Sequence, residues 1–399
     1  MARDFGLRHR EAHTGEEAAA ATVADVRLGL GVGLRGGRAD DVDTELVGES
    51  AQLGLGHEIH GTTAKTQLRS DAVKAVRIHE DGGPEVLRYE DVEDPVPGEG
   101  EILIRLRAAA LNHLDLWIRQ GLPSVPKPRI LGADGAGEVA ALGAGANDFA
   151  QGDPVVINPG LADGAQIVGE HRDGTHAELI VVPAENVYPK PEALSFEEAA
   201  AFPLVFETAY RMLVTKAGLA DGEWVLIWGI GSGVATASFQ IAKALGARTI
   251  VTSSSDDKLV RSRELGADAT VNHASGDVTA TVREATAGHG ADVVVEHVGE
   301  DTWKTSLQAA APAARIVVCG ATSGPNPPAQ LHRIWWKQLT VYGSTMGTRE
   351  DFEGAYELVA SGKAKPLVDR VFPLEQAAEA HAYLESGRQL GKVVLAIGR

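Results

Sequence analysis

Apolar and polar positions follow two different rhythms from Val73 onward. Up to about Phe196 the apolar positions are short and recur with period two. Ile102, Ile104, Leu106 and Ala108 stand mostly between polar residues, which predicts a strand with one buried face. Gly135–Leu142, Pro154–Ile157 and His176–Val182 read as further strands, separated by turns such as Gly152-Asp-Pro. Helix signals are few here, so this half is predicted to be mostly β. Ser195-Phe-Glu-Glu198 is a capping box that opens a helix, and a second helical run over Val205–Ala217 follows Pro203. Beyond it the pattern becomes strictly alternating. Strands are predicted at Trp224–Trp228, Thr249–Thr252, Ala269–Val271, Val293–Glu296, Arg315–Cys319 and Leu339–Tyr342. Helices are predicted at Gly233–Leu245, Asp256–Leu265, Asp277–Thr286 and Thr302–Ala311. Uninterrupted apolar strands joined by helical crossovers imply an α/β fold, with a six-stranded parallel sheet covered on both faces. The tail from Lys365 to Arg399 holds a helix (Leu374–Leu384) between two strands, and is predicted to return to the first half. The expected domains are therefore 73–196 with 365–399, and 197–364.

Residues 1–72 keep neither period for long. Their only aromatic is Phe5, they contain no proline, and Gly29–Gly37 would lose much backbone entropy on ordering. The folded protein is expected to start near Val73, with the first 72 residues a disordered extension or translated upstream sequence; a valine there fits initiation at a GTG codon. Gly56-His-Glu58 looks like a metal-site tripeptide, but its unpatterned surroundings remove most of its weight.

Composition narrows the function. The 399 residues carry a formal charge of −18, which excludes a phosphate-backbone binder needing a basic face, so no nucleic-acid partner is expected. No apolar run has the length of a membrane span, and Asp25 and Arg27 break the stretch from Ala18 to Leu34 that would otherwise resemble a signal peptide. One cysteine, Cys319, excludes intramolecular disulfides and any site built from several thiolates. The expected compartment is cytoplasmic, without a membrane partner.

Trp228-Gly-Ile-Gly-Ser-Gly-Val-Ala235 follows the first apolar strand of the second half and opens a helix. A dinucleotide-binding loop belongs there, because glycines let the backbone approach the pyrophosphate at a helix N-terminus. Counted strictly from Gly229, the last place of GxGxxG falls on Val234; one residue later it falls on Ala235, where alanine is accepted. Gly229, Gly231, Ser232, Gly233 and Val234 are thus candidate cofactor contacts in a doubly wound Rossmann domain. The end of the second strand selects the dinucleotide. An acid there would bind NAD ribose hydroxyls, whereas this chain has Ser253-Ser-Ser255, with Lys258 and Arg261 following. Ser253 and Lys258 favour NADPH over NADH, although Asp256 and Asp257 also suit an ordinary helix start.

At this point the chain resembles the medium-chain dehydrogenase/reductase superfamily, which includes zinc alcohol dehydrogenases and quinone oxidoreductases. The markers run from Val73 to Arg399 and include KAVRIHEDGGPEVLRYEDV, EILIRLRAAALNHLDLW, LGADGAGEV, WGIGSGVA and GRQLGKVVL. The resemblance implies a GroES-like β domain beside the Rossmann domain. It also implies no zinc. Asn112 stands at the first ligand cysteine, Gly132-Ala133-Asp134 replaces Gly-His-Glu, and no later cysteine follows Phe202-Pro203. The four-cysteine lobe is replaced by the short Asn158–Ala165. The chain is therefore similar to the zinc-free quinone oxidoreductases, which carry Asn-x-x-Asp where Asn112 and Asp115 stand. By resemblance Thr208, Gly299, Gly320 and Gly343-Ser344-Thr345 line the nicotinamide. Lys392 either reaches the cofactor or faces solvent. Glu207 departs from the apolar residue expected before Thr208.

A zinc ion would polarise a plain ketone; without it, hydride transfer favours acceptors that are already electrophilic, namely quinones or alkenes conjugated to a carbonyl. The candidate catalytic residues are Asn112, to hold the substrate carbonyl or the nicotinamide ribose, His113 and Asp115. His113 is either a proton donor or, the favoured reading, a structural histidine. Asp115 is expected mainly to order its loop. An alcohol dehydrogenase acting on alcohols or aldehydes, and a non-catalytic dinucleotide-binding protein, remain as alternatives. The expected partners are a small-molecule substrate and a second copy of the chain, in a homodimer or homotetramer, with Leu339–Tyr342 as a sheet edge for association.

Overall fold

The computed structural model describes residues 72–398. The expected extension over 1–72, all but Ala72, and the Gly56-His-Glu58 tripeptide lie outside the described residues.

Six parallel strands form one sheet, in the spatial order Ala269–Asn272, Arg248–Ser253, Trp224–Ile227, Ala291–Glu296, Ala310–Val318 and Thr340–Gly343. Chain order reverses at Trp224–Ile227, so a crevice opens at the carboxyl ends of this strand and its neighbour Ala291–Glu296. Val225, Leu226 and Ile227 are fully buried, because helices cover both faces. Each such aliphatic side chain contributes roughly 1.5–3 kcal/mol by leaving water.

A second sheet holds Val187–Pro189, Pro154–Ile157, Asp134–Leu142, Glu101–Ala110, Lys392–Ala396 and Val368–Pro373 in that order, with Leu179–Pro183 also paired to Glu101–Ala110. Lys392–Ala396, from the far end of the chain, lies antiparallel to Glu101–Ala110 and parallel to Val368–Pro373. Asp134–Leu142 lies antiparallel to Glu101–Ala110 on the other side. Both faces of this architecture agree with the predicted GroES-like plus Rossmann fold.

Several elements differ from the sequence pattern. The run Val205–Ala217 divides into an α-helix, Pro203–Tyr210, and a π-helical stretch, Arg211–Lys216. The wider stretch carries side chains anchored elsewhere: Thr215 donates to Asp351, and Arg211 lies 3.7 Å from the same carboxylate. The strand expected at Arg315–Cys319 begins earlier, at Ala310, with an irregular register beside Ala291–Val293. Three helices were not foreseen: His113–Arg119, Leu331–Lys337 and Arg349–Ala360. The last was legible, since Thr348 and Asp351 form a capping box and Phe352, Ala355 and Val359 are buried at helical spacing. Leu331–Lys337 buries no residue fully: Leu331, Ile334 and Trp335 stand at helical spacing, but only Ile334 packs partly against the core. Among the described residues no helix is long and apolar enough to cross a membrane.

Candidate active site

Strand register brings the central residues together. Ala110 pairs with Asp134 on one side and with Val394 on the other, which carries Asn112, Asp134 and Lys392 to adjoining strand ends. The side chains meet. Lys392 Nζ donates to Asn112 Oδ1 at 2.5 Å and to Asp134 Oδ2 at 2.9 Å, and Asn112 Nδ2 donates to the same Asp134 oxygen at 3.0 Å. Asp134 Oδ1 accepts the backbone N–H of Leu204 at 2.8 Å, in the first turn of the Pro203–Tyr210 helix. A carboxylate there satisfies a free helix donor and complements the helix dipole. All three polar side chains are buried.

Asn112 precedes the His113–Arg119 helix, and Asp115 locks it there. One Asp115 oxygen accepts Asn112 N–H at 2.7 Å, and the other accepts Gly132 N–H at 2.9 Å. Gly132 has φ of 97°, and a Cβ on it would meet His176 and Thr175 side-chain atoms at 2.5 Å. Burial raises the Asp115 carboxyl to about 7 despite these donors. The carboxyl therefore joins two loops and does not line the cavity beside them, unlike Asn112 and His113.

That cavity, of about 240 Å3, lies among Leu111, His113, Trp117, Leu204, Met346 and Lys392. Thr208, Ser232, Gly233, Val234, Gly320 and Thr345 also line it, so nine residues singled out from sequence, Asn112, His113 and Lys392 among them, converge there. His113 stands with its ring 6.3 Å from that of Trp117. Burial pushes its pKa down to about 4, helped by the nearby His297 and Lys392, so it is neutral at physiological pH. Cys319 lines the cavity as well, and burial drives its thiol up to about 12, which removes thiolate chemistry.

The glycine loop forms a cradle at the start of the Gly233–Ala244 helix, whose N-cap is Ser232. A Cβ on Gly231 would lie 2.7 Å from Lys258 Nζ and 2.8 Å from the Gln389 carbonyl oxygen. Gly391 N–H donates to Gly231 O at 3.1 Å, and Lys258 Nζ donates to Gly387 O at 2.6 Å, so the segment 387–391 covers the loop. Gly229 has φ of 56°. Gly299, at φ 95°, has no room for a Cβ, which would sit 2.3 Å from Gly324 O. Ser253 ends its strand buried, its Oγ accepting Ser255 N–H at 3.0 Å, and Ser344 is buried with N–H donated to Val318 O at 2.9 Å. Backbone donors at a helix start, with glycines at the close approaches, fit a dinucleotide pyrophosphate.

Sequence reasoning overlooked His297, Trp117 and the partner set of Asp134. His297 lines the cavity, its Nε2 2.9 Å from Trp228 O and 3.4 Å from Ser232 Oγ. Buried Glu296 sets the adjoining turn by accepting Val298 N–H, Gly299 N–H and the Thr302 hydroxyl. The available signal was position: His297 directly follows the Ala291–Glu296 strand, at the crevice edge where ligands bind. Glu207, the unexplained acid, is buried with Oε1 accepting Gly347 N–H at 2.8 Å.

These residues do not fit a catalytic zinc. Zinc needs about three protein ligands and an open position. By the resemblance Asn112 and Ala133 stand at two ligand places, and the Asp134 carboxylate already holds the Lys392 ammonium, which repels a cation. Among the described residues no three His, Cys, Asp or Glu side chains gather around a possible metal position.

The parallel sheet, its glycine cradle and the adjoining cavity define a nicotinamide-dinucleotide-dependent oxidoreductase. The chain belongs to the medium-chain dehydrogenase/reductase superfamily: residues 98–192 match the alcohol dehydrogenase GroES-like domain, and residues 233–361 match the zinc-binding dehydrogenase domain. It is 34% identical to a quinone oxidoreductase of Pseudomonas aeruginosa, over 81% of this chain and 99% of that protein. It is 32% identical to a crotonyl-CoA reductase of Streptomyces avermitilis, over 78% of this chain and 82% of the relative. A solved NAD-dependent alcohol dehydrogenase superposes with a TM-score of 0.79 at 47% identity, covering 82% of this chain and all of the other.

Proposed function

We propose that the chain reduces quinones or α,β-unsaturated carbonyl compounds with NADPH, without a catalytic zinc. The observation that carries this reading is the Lys392 ammonium bound between Asn112 and Asp134, at the place where ligands of a metal would converge. The bound nicotinamide supplies the hydride. This chain holds the cofactor at the glycine loop and keeps the acceptor against the apolar wall formed by Leu111, Leu204 and Met346. Asn112 has its carbonyl oxygen and one amide N–H committed, so it acts by positioning Lys392 and Asp134. Neutral His113 shapes the cavity. Ser253 and Lys258 support NADPH, since no acid stands at the end of the Arg248–Ser253 strand.

The test is NADPH and NADH oxidation by purified protein with quinones, enones and aldehydes, before and after chelation. NADPH turnover of quinones or enones that survives chelation is expected; stoichiometric zinc with alcohol oxidation would overturn the reading. The second reading, an alcohol dehydrogenase using NADH, is favoured by the 47% identity to the NAD-dependent alcohol dehydrogenase. A lower Michaelis constant for NADH than for NADPH would support it. The proposal includes a homodimer through Thr340–Gly343, a strand paired on one side only, beside exposed Trp335 and Trp336.

A further inference from the structure

Lys392 has more hydrogen-bonding capacity than the protein uses. An ammonium carries three N–H donors. One is taken by Asn112 Oδ1 and one by Asp134 Oδ2; among the described residues the third has no acceptor. The side chain is 4% exposed, yet it lines the cavity. A buried donor left unpaired is costly, more so on a charged group, unless something else that enters the cavity receives it.

The lysine is also held rigidly. Asp134 cannot swing away, because its other oxygen is fixed by Leu204 N–H at the helix start. Asn112 is anchored through its backbone N–H by Asp115 and through its side-chain amide N–H by Asp134 Oδ2. Along its stem Lys392 passes the glycine loop: a Cβ on Gly233 would lie 3.0 Å from Lys392 Cδ. One side chain therefore runs from the start of the cofactor helix, which its methylenes pass, to Asn112 just beyond the Glu101–Ala110 strand, which its ammonium reaches. Its neighbours in the cavity wall, Leu111, Leu204 and Met346, lower the local dielectric and strengthen any charge–dipole contact made there.

We propose that the third N–H of Lys392 is the hydrogen-bond donor to the oxyanion that develops on the substrate carbonyl. The inference rests on the reductase reading above. For an enone, hydride adds to the β-carbon as the nicotinamide is oxidised. The alkene electron pair then moves to the bond between the α-carbon and the carbonyl carbon, and the carbonyl pair moves onto oxygen. That oxygen accepts the Lys392 N–H. Uptake of a proton from water at the α-carbon gives the saturated ketone, and Lys392 keeps all three protons throughout. Asp134 offsets the ammonium charge in the empty cavity, so the donor is in place before the substrate charge appears.

The test compares the full-length wild type with Lys392→Met and with the double variant Asp134→Asn/Lys392→Met, which leaves no lone buried charge should the single variant fail to fold. With 2-cyclohexenone and NADPH, kcat is expected to fall about 10²–10³-fold in both variants, as when a single oxyanion donor is removed. The dissociation constant for NADPH, read from nicotinamide fluorescence, is expected to hold. Propylammonium added to Lys392→Ala is expected to restore part of kcat. A readout without turnover uses 4-nitrophenol, whose phenolate mimics an enolate: on the wild type its pKa drops by about one unit or more, corresponding to tenfold preference for the anion, and on the double variant it does not. The inference is overturned if wild-type turnover persists in the variants, if the whole loss lies in NADPH affinity, or if 4-nitrophenol titrates alike on both proteins. Failure of the wild type itself to reduce enones or quinones would defeat the reductase reading and this inference with it; turnover without dependence on Lys392 defeats the inference alone.

Discussion

Lys392 and Asp134 stand 258 positions apart and meet as a buried ion pair at 2.9 Å. A buried charge that loses its counter-ion is far costlier than the pair is stabilising. Asp134→Ala would strand the ammonium and free the Leu204 N–H as well. We expect a loss of about 3–5 kcal/mol, read from the denaturation midpoint. Asp134→Ala combined with Lys392→Met should recover much of it; equal stability of the single and double variants would contradict the pairing.

Gly231 has no space for a side chain between Lys258 and the Gln389 carbonyl. Gly231→Ala should push the segment 387–391 off the loop and weaken dinucleotide binding by about tenfold or more, through lost backbone approach to the pyrophosphate. Calorimetric titration with NADPH measures it. Unchanged affinity would place the cofactor elsewhere.

Burial holds three histidines neutral: His113 with a pKa of about 4, His176 of about 3, and His381 well below the usual value. Each folded value lies below the unfolded one near 6.5, so the unfolded chain binds more protons between them. The stability is fully present above about pH 6.5 and lost as pH falls toward the folded values, at a limiting slope of about 1.4 kcal/mol per pH unit for each histidine. Proton uptake on unfolding near pH 5.5, measured by calorimetry in two buffers, should drop by about one proton in His176→Leu. An identical uptake in both proteins would count against a neutral His176.

Glu207 runs the opposite way. Burial raises its carboxyl to about 8, opposed by the Gly347 N–H, and among the described residues its second oxygen finds no partner. The folded pKa exceeds the unfolded one near 4.5, so the folded state holds the extra proton. The stability from this group is fully present below about pH 4.5 and lost as pH rises through about 8. Glu207→Gln copies the protonated form and should flatten that decline. Urea midpoints at acid and alkaline pH test it; parallel curves for both proteins would mean that Glu207 is ionised in the fold.

Trp335 and Trp336 are 64% and 77% exposed beside the Thr340–Gly343 edge. Trp336→Asp should convert the expected dimer to monomer in sedimentation velocity, because a charge would be buried in the contact. A wild-type monomer would refute the association.

The apolar runs Trp224–Trp228 and Val293–Glu296, and the glycines between strand and helix, made the dinucleotide half legible, since both follow from local periodicity and turn chemistry. Asn112 was singled out by the resemblance, as the residue standing at a ligand place just past a strand. Its partners were not. Lys392 lies 280 positions away and joins it only through strand register, which no local pattern encodes. Asp115 was expected to order its loop, and it ties two backbones, at Asn112 and Gly132; the second of these no local pattern encodes. His176 and His381, with rings 5.7 Å apart, meet only after the second sheet closes.

The Lys392–Ala396 strand has one further consequence, which concerns the order of synthesis. It fills the gap between Glu101–Ala110 and Val368–Pro373, and it delivers the ammonium to two residues made hundreds of codons earlier. A chain lacking Gly391 and the strand after it would hold an open sheet and an Asp134 carboxylate without its ammonium. Closure of the second sheet and arrival of the ammonium beside Asp134 and Asn112 therefore depend on the same few residues.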